Sequence, residues 1–189
     1  MKKAAKRSGR SPGGTTILVG GAGEHYVIAE LLYRGIIAGA SPRNSTPYDV
    51  LATDRIHNAN IRVKCKSAHS DGWQFSRDDK GNVYRTIGRY DFTVLVALRG
   101  LRHRPEFFVM PTRDLNGHMR HHHRAFMKRT GGKRPKSPDS KHAAVFESRE
   151  STFLEKYRER WRNLGLRVQT PRPGRPWGKS DSNGGMTQN

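Results

Sequence analysis

Apolar residues recur in three segments of the chain at the spacing of one face of a helix. In residues 23–37 they fall every three or four positions, which predicts a helix there. Similar spacing predicts a second helix over residues 112–128, with a basic face, and a third over residues 152–164. The apolar positions of the first helix are Val27, Ile28, Leu31, Leu32 and Ile36, and those of the third are Phe153, Tyr157, Trp161 and Leu164.

Between the first two helices the pattern becomes that of β-strands. Residues 60–67 alternate apolar Ile61, Val63 and Cys65 with basic side chains, as a half-buried strand does. Residues 92–98 are almost continuously apolar, which is typical of a central strand buried on both faces. Shorter strands are predicted over residues 48–53, 73–75, 82–86 and 107–110. The order of helix, several strands and two helices predicts an α/β or α+β fold with a mostly β middle.

The length of 189 residues suits one domain with tails. Basic residues with glycine, serine and proline predict disordered tails over residues 1–16 and 166–189 and a flexible basic loop over 130–142, within a domain over 17–165. No apolar stretch is long enough to span a membrane, and no apolar segment of a signal peptide follows the basic N-terminus. With Cys65 as the single cysteine, we expect a cytoplasmic protein of prokaryotic or phage-like type that is not secreted.

Lysine and arginine outnumber aspartate and glutamate by 36 to 16, a formal net charge of +20. Residues 1–10 carry +5 and residues 99–136 carry +9, whereas residues 11–98 carry only +2. Such concentrated charge favours a polyanion, because contacts with phosphates release counterions. Since no strongly apolar helix face accompanies the basic segments, we expect nucleic acid rather than a membrane; charge that serves solubility alone is the alternative. The predicted nucleic-acid-binding residues are Lys2, Lys3, Lys6, Arg7, Arg10, Arg120, Arg124, Lys128, Arg129, Lys133 and Arg134.

Two carboxylates and a lysine in the first half of the chain are of the types that phosphodiester hydrolysis requires. Glu24 precedes Ile28 by four positions, so its carboxylate lies on the apolar face of the first helix. A buried carboxylate there is unfavourable unless it has a partner or a function. Asp49 opens a predicted strand, and antiparallel pairing with the next strand would set it opposite Lys64. Carboxylate oxygens are the ligands that Mg²⁺ prefers, and a nearby lysine can stabilise charge that develops on a phosphate.

Three segments of the sequence resemble the motifs of the PD-(D/E)XK nuclease superfamily, in its restriction-endonuclease-like and Holliday-junction-resolvase-like group. They are residues 23–35 (GEHYVIAELLYRG), residues 47–49 (PYD) and residues 61–64 (IRVK). In that superfamily a glutamate lies in the first helix, an aspartate at the start of a strand, and an acidic or amide residue two positions before a lysine on the next strand.

The resemblance covers about half of the chain and implies a central mixed β-sheet flanked by helices. It also implies DNA cleavage that depends on Mg²⁺ or Mn²⁺, with Glu24, Asp49 and Lys64 as catalytic residues and Glu24 and Asp49 as metal ligands. Superfamily members often dimerise to cut two strands, so a homodimer is one arrangement to consider.

Arg62 departs from the pattern, because a guanidinium cannot ligate a cation at the position where the superfamily has an acidic or amide residue. Three interpretations are open: Gln74 supplies the missing ligand, Arg62 binds the phosphate beside a two-carboxylate site, or the domain binds nucleic acid without cutting it. We favour a metal-dependent DNA endonuclease acting on plain, branched or structured DNA. The alternative is a catalytically inactive nucleic-acid-binding protein of the same fold, and RNA is the less favoured partner.

The histidines His118, His121, His122 and His123 invite a metal interpretation. Only His118 with His121 or His122 has the spacing of one helix face, and no cysteine or acidic partner is evident in the sequence. We therefore favour a solvated basic helix face. Cys65 is interpreted as a small core residue rather than a nucleophile.

Overall fold

The computed structural model describes residues 13–42, 46–85, 87–131 and 141–167, with side chains from residue 16 onward. Most of the predicted tails and of the basic loop therefore lie outside the described residues. So do seven of the predicted nucleic-acid-binding residues: Lys2, Lys3, Lys6, Arg7, Arg10, Lys133 and Arg134.

The first helix, α1 (Gly13–Tyr33), begins ten residues before its predicted start and ends four residues before its predicted end. It stops where Gly35 adopts a φ of 74°, a backbone conformation that glycine takes without a steric penalty. The amides of Gly35 and Ile36 then bond the carbonyls of Leu32 and Leu31, which satisfies the end of the helix. None of the helices in the described part of the chain is long and apolar enough to cross a membrane.

A mixed five-stranded sheet forms the centre of the molecule. Its strands are β1 (Ile37–Ala40), β2 (Val50–Thr53), β3 (Asn58–Lys66), β5 (Asp91–Ala97) and β6 (Glu106–Pro111), in the order β1-β2-β3-β5-β6. The pairing of β3 with β5 is parallel, and the other three pairings are antiparallel. Every residue of β5 is buried, as its continuous apolar run predicts. The predicted α/β class with a mixed sheet is confirmed.

Both faces of this sheet are covered. On one face α1 packs with a short 3₁₀ helix (Trp161–Leu164) around side chains such as Val27, Leu31, Ile61 and Val94. On the other face lie α2 (Thr112–Arg129), a two-stranded sheet of β4 (Gly72–Ser76) with β7 (His142–Phe146), and α3 (Ser151–Glu155). Helices on both faces explain why the central strands are buried.

Two predictions from the sequence are wrong in detail, and one strand was not predicted. The predicted strand over residues 82–86 is a series of bends in its described part, whereas the unpredicted β7 pairs with β4. The predicted helix over residues 152–164 ends at Glu155, and the chain then turns along β6, where Arg158 forms an isolated antiparallel bridge with Phe108, before the 3₁₀ helix. There the amide of Val109 bonds the carbonyl of Tyr157, and the amide of Glu159 bonds the carbonyl of Phe107.

Two elements lie at the edges of the predicted domain, whose boundaries at 17 and 165 stay a prediction. Helix α1 starts at Gly13, and Leu166 is 5% exposed within the larger core cluster.

Candidate active site

Asp49 lies immediately before β2 and is held against β3. Its amide donates to the carbonyl of Ile61 at 2.9 Å, and its carboxylate Oδ2 accepts a hydrogen bond from the amide of Val63 at 2.6 Å. The observed register pairs Val50 with Ile61, which sets Asp49 beside Arg62. The predicted register, with Asp49 opposite Lys64, is therefore wrong by two residues. Because a shift of two preserves the face, the carboxylate still lies on the segment that carries Lys64.

Lys64 follows Val63 on β3 and is half-buried. Its ammonium lies 5.9 Å from the centre of the Phe75 ring of β4, so its stem passes over apolar surface while its charge keeps some access to solvent. The Asp49 carboxylate is thus hydrogen-bonded to the residue that directly precedes Lys64. This places an anchored carboxylate and a lysine on the same stretch of strand.

Helix α1 reaches this stretch through Gly23. A Cβ at this glycine would come within 2.6 Å of the Cys65 Cβ and 3.6 Å of Val63 Cγ1, so the helix backbone lies directly on β3. The contact requires glycine, and it fixes the position of the next residue, the half-buried Glu24. The backbone of Glu24 is therefore held close to the part of β3 that carries Asp49's hydrogen bond.

Cys65 lies directly under the helix at this contact. Burial raises the pKa of its thiol to about 11, against smaller opposing effects of the Gly23 backbone and of Lys66. The thiol therefore stays protonated near neutral pH, since the thiolate is the reactive form. Its partly buried position against the core agrees with its interpretation as a small core residue.

Arg62 points into the protein rather than towards solvent. Its side chain is 4% exposed, its Nη1 lies 3.1 Å from Oδ2 of Asp91, and its guanidinium lies 4.5 Å and 4.6 Å from the ring centres of Tyr48 and Tyr84. This environment is that of a buried ion pair between aromatic rings. The proposed phosphate contact of Arg62 therefore loses its support, and its charge is neutralised within the protein.

Asp91, at the start of β5, is the centre of this internal network. Its carboxylate accepts hydrogen bonds from the Tyr48 hydroxyl at 3.0 Å, the Asn60 amide at 3.1 Å, the Gly88 backbone amide at 3.0 Å and Arg62. Burial alone would raise the pKa of Asp91, but these donors together hold it below the ordinary value. Asp91 is thus ionised and fully engaged, and it ties β3 to β5.

Tyr84 connects the network to the candidate catalytic carboxylate. Burial, and to a smaller degree the negative charge of Asp49, raises the pKa of the Tyr84 hydroxyl, while Arg62 acts in the opposite direction. The phenol is therefore neutral at physiological pH. Tyr84 therefore lies near both charged groups without adding a charge of its own.

Lys66, two positions beyond Lys64 on β3, has a structural role. It is 3% exposed, its ammonium lies 2.8 Å from Oε2 of Glu147, and it donates to the carbonyl of Ser70 at 2.9 Å. Burial would raise the pKa of Glu147, but hydrogen bonds from Arg99 and Lys66 lower it to about 2. This pair joins β3 to the chain after β7 and leaves Lys64 as the lysine available to the site.

Gln74 is exposed on the outer face of β4, whereas its neighbours Trp73 and Phe75 are buried on the inner face. Since Phe75 is the residue that lies near Lys64, Gln74 points to the opposite side of the strand. The structure therefore gives no support to Gln74 as the missing ligand.

The donors of Glu24 and Asp49 fit a hard divalent cation such as Mg²⁺ or Mn²⁺. Both are carboxylates, and Asp49 is oriented by the Val63 amide. Among the residues that the structure describes, neither Glu24 nor Asp49 belongs to a group of three or more close His, Cys, Asp or Glu ligand atoms. Mg²⁺ commonly keeps several waters and uses one or two protein carboxylates, so two such ligands are compatible with this ion.

Four of the predicted nucleic-acid-binding residues lie on the last three turns of α2. Arg124, Lys128 and Arg129 are exposed, whereas Arg120 is half-buried and donates to Oδ1 of Asn82 at 3.2 Å. The exposed three give this end of the helix a positive surface. The half-buried arginine instead holds the helix to the turn that precedes β5.

No protein-family model matches the chain, and neither does any curated protein. Among solved structures, the chain is similar to a bacterial homing endonuclease, I-Ssp6803I, with a TM-score of 0.44 and 19% sequence identity. The similarity covers 77% of this chain and 88% of that one.

Sequence reasoning missed the residues around Arg62. Asp91 is 29 positions away from Arg62, and only the parallel pairing of β3 with β5 brings the two together. The signal that could have located Asp91 is its position directly before a continuous apolar run. A charged residue at the first position of a buried strand needs a partner of opposite charge or a hydrogen-bond donor.

Proposed function

We propose that this protein is a metal-dependent DNA endonuclease that hydrolyses phosphodiester bonds. The observation that carries the proposal is the arrangement around Val63 of β3. The Asp49 carboxylate accepts a hydrogen bond from the Val63 amide, and Lys64 is the next residue of β3. Gly23 packs α1 against Val63 and Cys65, and Glu24 is the next residue of the helix. The backbone positions of these motif residues, which are up to forty positions apart in the sequence, thus lie along one segment of β3, and this supports the proposal.

In this proposal Glu24 and Asp49 hold a Mg²⁺ or Mn²⁺ ion. When bound, such an ion makes its water more acidic and neutralises charge on the phosphate. The hydrogen bond from Val63 keeps the Asp49 carboxylate in one orientation, which reduces the reorganisation needed when substrate arrives. Lys64 donates from its ammonium to a non-bridging phosphate oxygen or to the attacking water, and so favours the charge that accumulates during displacement.

The internal Arg62–Asp91 pair explains how the chain tolerates a cation where the superfamily has an acidic or amide residue. An arginine directed at the ion would repel it, but this guanidinium is turned to Asp91 and lies between two tyrosine rings. In the proposed enzyme Arg62 therefore aligns β3 with β5 and does not contact the substrate.

The proposed substrate is DNA, plain, branched or otherwise structured, and we propose that the exposed basic residues of α2 bind its backbone. Arg124, Lys128 and Arg129 offer charge without a base-reading arrangement, which suits contacts to phosphates. A second copy of the chain would allow both strands to be cut, and RNA is the less favoured ligand.

A second candidate function is nucleic-acid binding without cleavage. The presence of Arg62 favours this second function, because an arginine stands where the superfamily has a residue that supplies a third oxygen ligand. This alternative predicts binding that weakens with salt and no cleavage with any divalent cation.

The test is cleavage of plasmid and branched DNA in the presence of Mg²⁺ or Mn²⁺ by the full chain. We expect Asp49→Asn and Lys64→Met to lower cleavage by at least about 100-fold, the effect of losing one group that stabilises a transition state. The matched controls Asp79→Asn and Lys156→Met change exposed residues of the same types outside the site and should retain full cleavage.

Two results would contradict parts of this proposal. Full cleavage by both site variants would refute the assignment of the residues. Salt-sensitive DNA binding by the unmodified chain, with no cleavage under either ion, would establish the non-enzymatic alternative.

A further inference from the structure

A second cluster of metal-binding side chains lies on the far face of the sheet, where α2 meets the start of α3. His118 and His122 are one turn apart on α2, and Glu150 precedes α3. One ligand atom from each of the three residues lies within 4.8 Å of the others. None of these residues belongs to the candidate active site.

The distances in the cluster are close to those of zinc ligands. Nε2 of His118 lies 3.0 Å from Oε2 of Glu150, and Nδ1 of His122 lies 3.7 Å from Oε1 of the same carboxylate. Ligand atoms about 2.0–2.1 Å from a tetrahedral zinc ion lie about 3.3 Å from one another. Because one ligand atom from each residue lies within 4.8 Å of the others, the three side chains would have to draw together for one ion to bind them all.

The position of Glu150 also favours a cation between these side chains. The Glu150 side chain is 8% exposed, and the residues facing it at these distances are two imidazoles. A buried carboxylate beside two imidazole nitrogens offers the mixed oxygen and nitrogen donors that Zn²⁺ binds.

The two histidines differ in their surroundings: the His118 ring is stacked on an aromatic side chain, whereas His122 borders a groove open to solvent. Both surroundings are compatible with a metal site. His118 stacks on Phe153 with ring centres 3.7 Å apart and an angle of 7° between the planes, which fixes its ring. The His122 side chain is 51% exposed and borders a groove of about 570 Å³ that also reaches Glu150 and Arg149. The groove gives an ion a path from solvent to the buried carboxylate.

We propose that His118, His122 and Glu150 bind one Zn²⁺ ion, with water in the fourth position. Two imidazoles and one carboxylate favour zinc over Mg²⁺, which prefers oxygen ligands alone. The ion joins α2 to the segment between β7 and α3. It therefore stabilises the helix that carries the exposed basic residues, independently of the ion proposed for cleavage.

The experiment is a titration of the chelator-treated full chain with Co²⁺, followed by its visible absorption, and then displacement of Co²⁺ by Zn²⁺. We expect one tight site per chain with the intense absorption of a tetrahedral ion. His122→Ala and Glu150→Gln should weaken binding by more than the roughly 10–100-fold that loss of an outer-sphere partner costs. His121→Ala is the matched control, because His121 is an exposed neighbour of His122 that lies outside the cluster.

Thermal unfolding supplies a second measurement. Zn²⁺ should raise the midpoint of the unmodified chain and of His121→Ala, and leave that of His122→Ala unchanged. Absence of Co²⁺ and Zn²⁺ binding by the unmodified chain would overturn the proposal. Equal affinity in the unmodified chain and in His122→Ala, or an equal loss in His121→Ala, would assign the binding to the exposed histidines and overturn it as well.

Discussion

Replacing Arg62 by methionine tests whether the Arg62–Asp91 pair is a structural element of the sheet. Methionine retains much of the apolar stem of arginine and removes the guanidinium, so the change isolates the charge and its stacking between two rings. Arg62→Met leaves the Asp91 carboxylate, whose side chain is 1% exposed, without its cationic partner. The variant should fold with lower stability.

The size of the effect follows from what remains around Asp91. Removal of one partner from a buried ion pair costs about 3–5 kcal/mol. Asp91 keeps hydrogen bonds from Tyr48, Asn60 and Gly88, so we expect the lower end of that range, about 3 kcal/mol. For a chain of this size the melting temperature should fall by roughly 6–12 °C.

The assay is urea unfolding of four proteins: the unmodified chain, Arg62→Met, Asp91→Asn and the double variant. The double variant should be more stable than the sum of the single effects predicts, by at least about 1 kcal/mol, because the two groups are in direct contact. Arg113→Met is the control, since its side chain is 80% exposed beside Asp114 and its loss should change stability by less than about 0.5 kcal/mol. A cost below about 1 kcal/mol for Arg62→Met, or strict additivity, would refute the reasoning.

Three further predictions concern the helix contact, acid stability and DNA binding. Gly23→Ala should destabilise the protein by about 1–3 kcal/mol in urea unfolding, because the added Cβ would overlap the Cys65 side chain of β3. The control Gly21→Ala, which has open space around it, should stabilise the protein by about 0.5–1 kcal/mol. Equal effects of the two variants would contradict the close contact at Gly23. The lowered pKa of Glu147 stabilises the fold above about pH 4.5, and this contribution is lost as the pH falls towards 2. The difference in stability between the unmodified chain and Glu147→Gln should therefore narrow over that range, and a constant difference would contradict a lowered pKa of Glu147. Arg124→Gln and Lys128→Gln should each reduce the slope of log affinity against log salt by about 0.9, and an unchanged slope in titrations with duplex DNA would remove α2 from the binding surface.

Patterns that depend on neighbouring residues predicted much of this fold. The apolar run of β5 and the basic helix α2 were predicted within one residue or two at each end. Both follow from burial of local side chains, which leaves a clear periodicity in the sequence. The start of α1 was missed because its first half is rich in glycine, which lowers helix propensity.

Features that depend on long-range pairing were beyond the sequence. The register of β2 on β3 differed from the expected one by two residues, a shift that keeps every side chain on its face and so leaves the hydrophobic pattern unchanged. Strand β7 was missed because its residues form a strand only against β4, about seventy positions earlier. Glu150 escaped notice for the same reason, since it is 32 positions from His118.

The segment after α3, which bonds the backbone of β6, has a consequence for how the protein is made. It covers the outer edge of β6, where Phe107 and Val109 would otherwise present unpaired backbone groups beside a wholly buried strand. Exposed edges of this kind pair with other chains and lead to aggregation. The covering residues are synthesised about fifty positions after β6, which is roughly 3–10 s of translation. During that interval the edge of β6 is exposed in the nascent chain. A chain that stops before Tyr157 should therefore accumulate as aggregates.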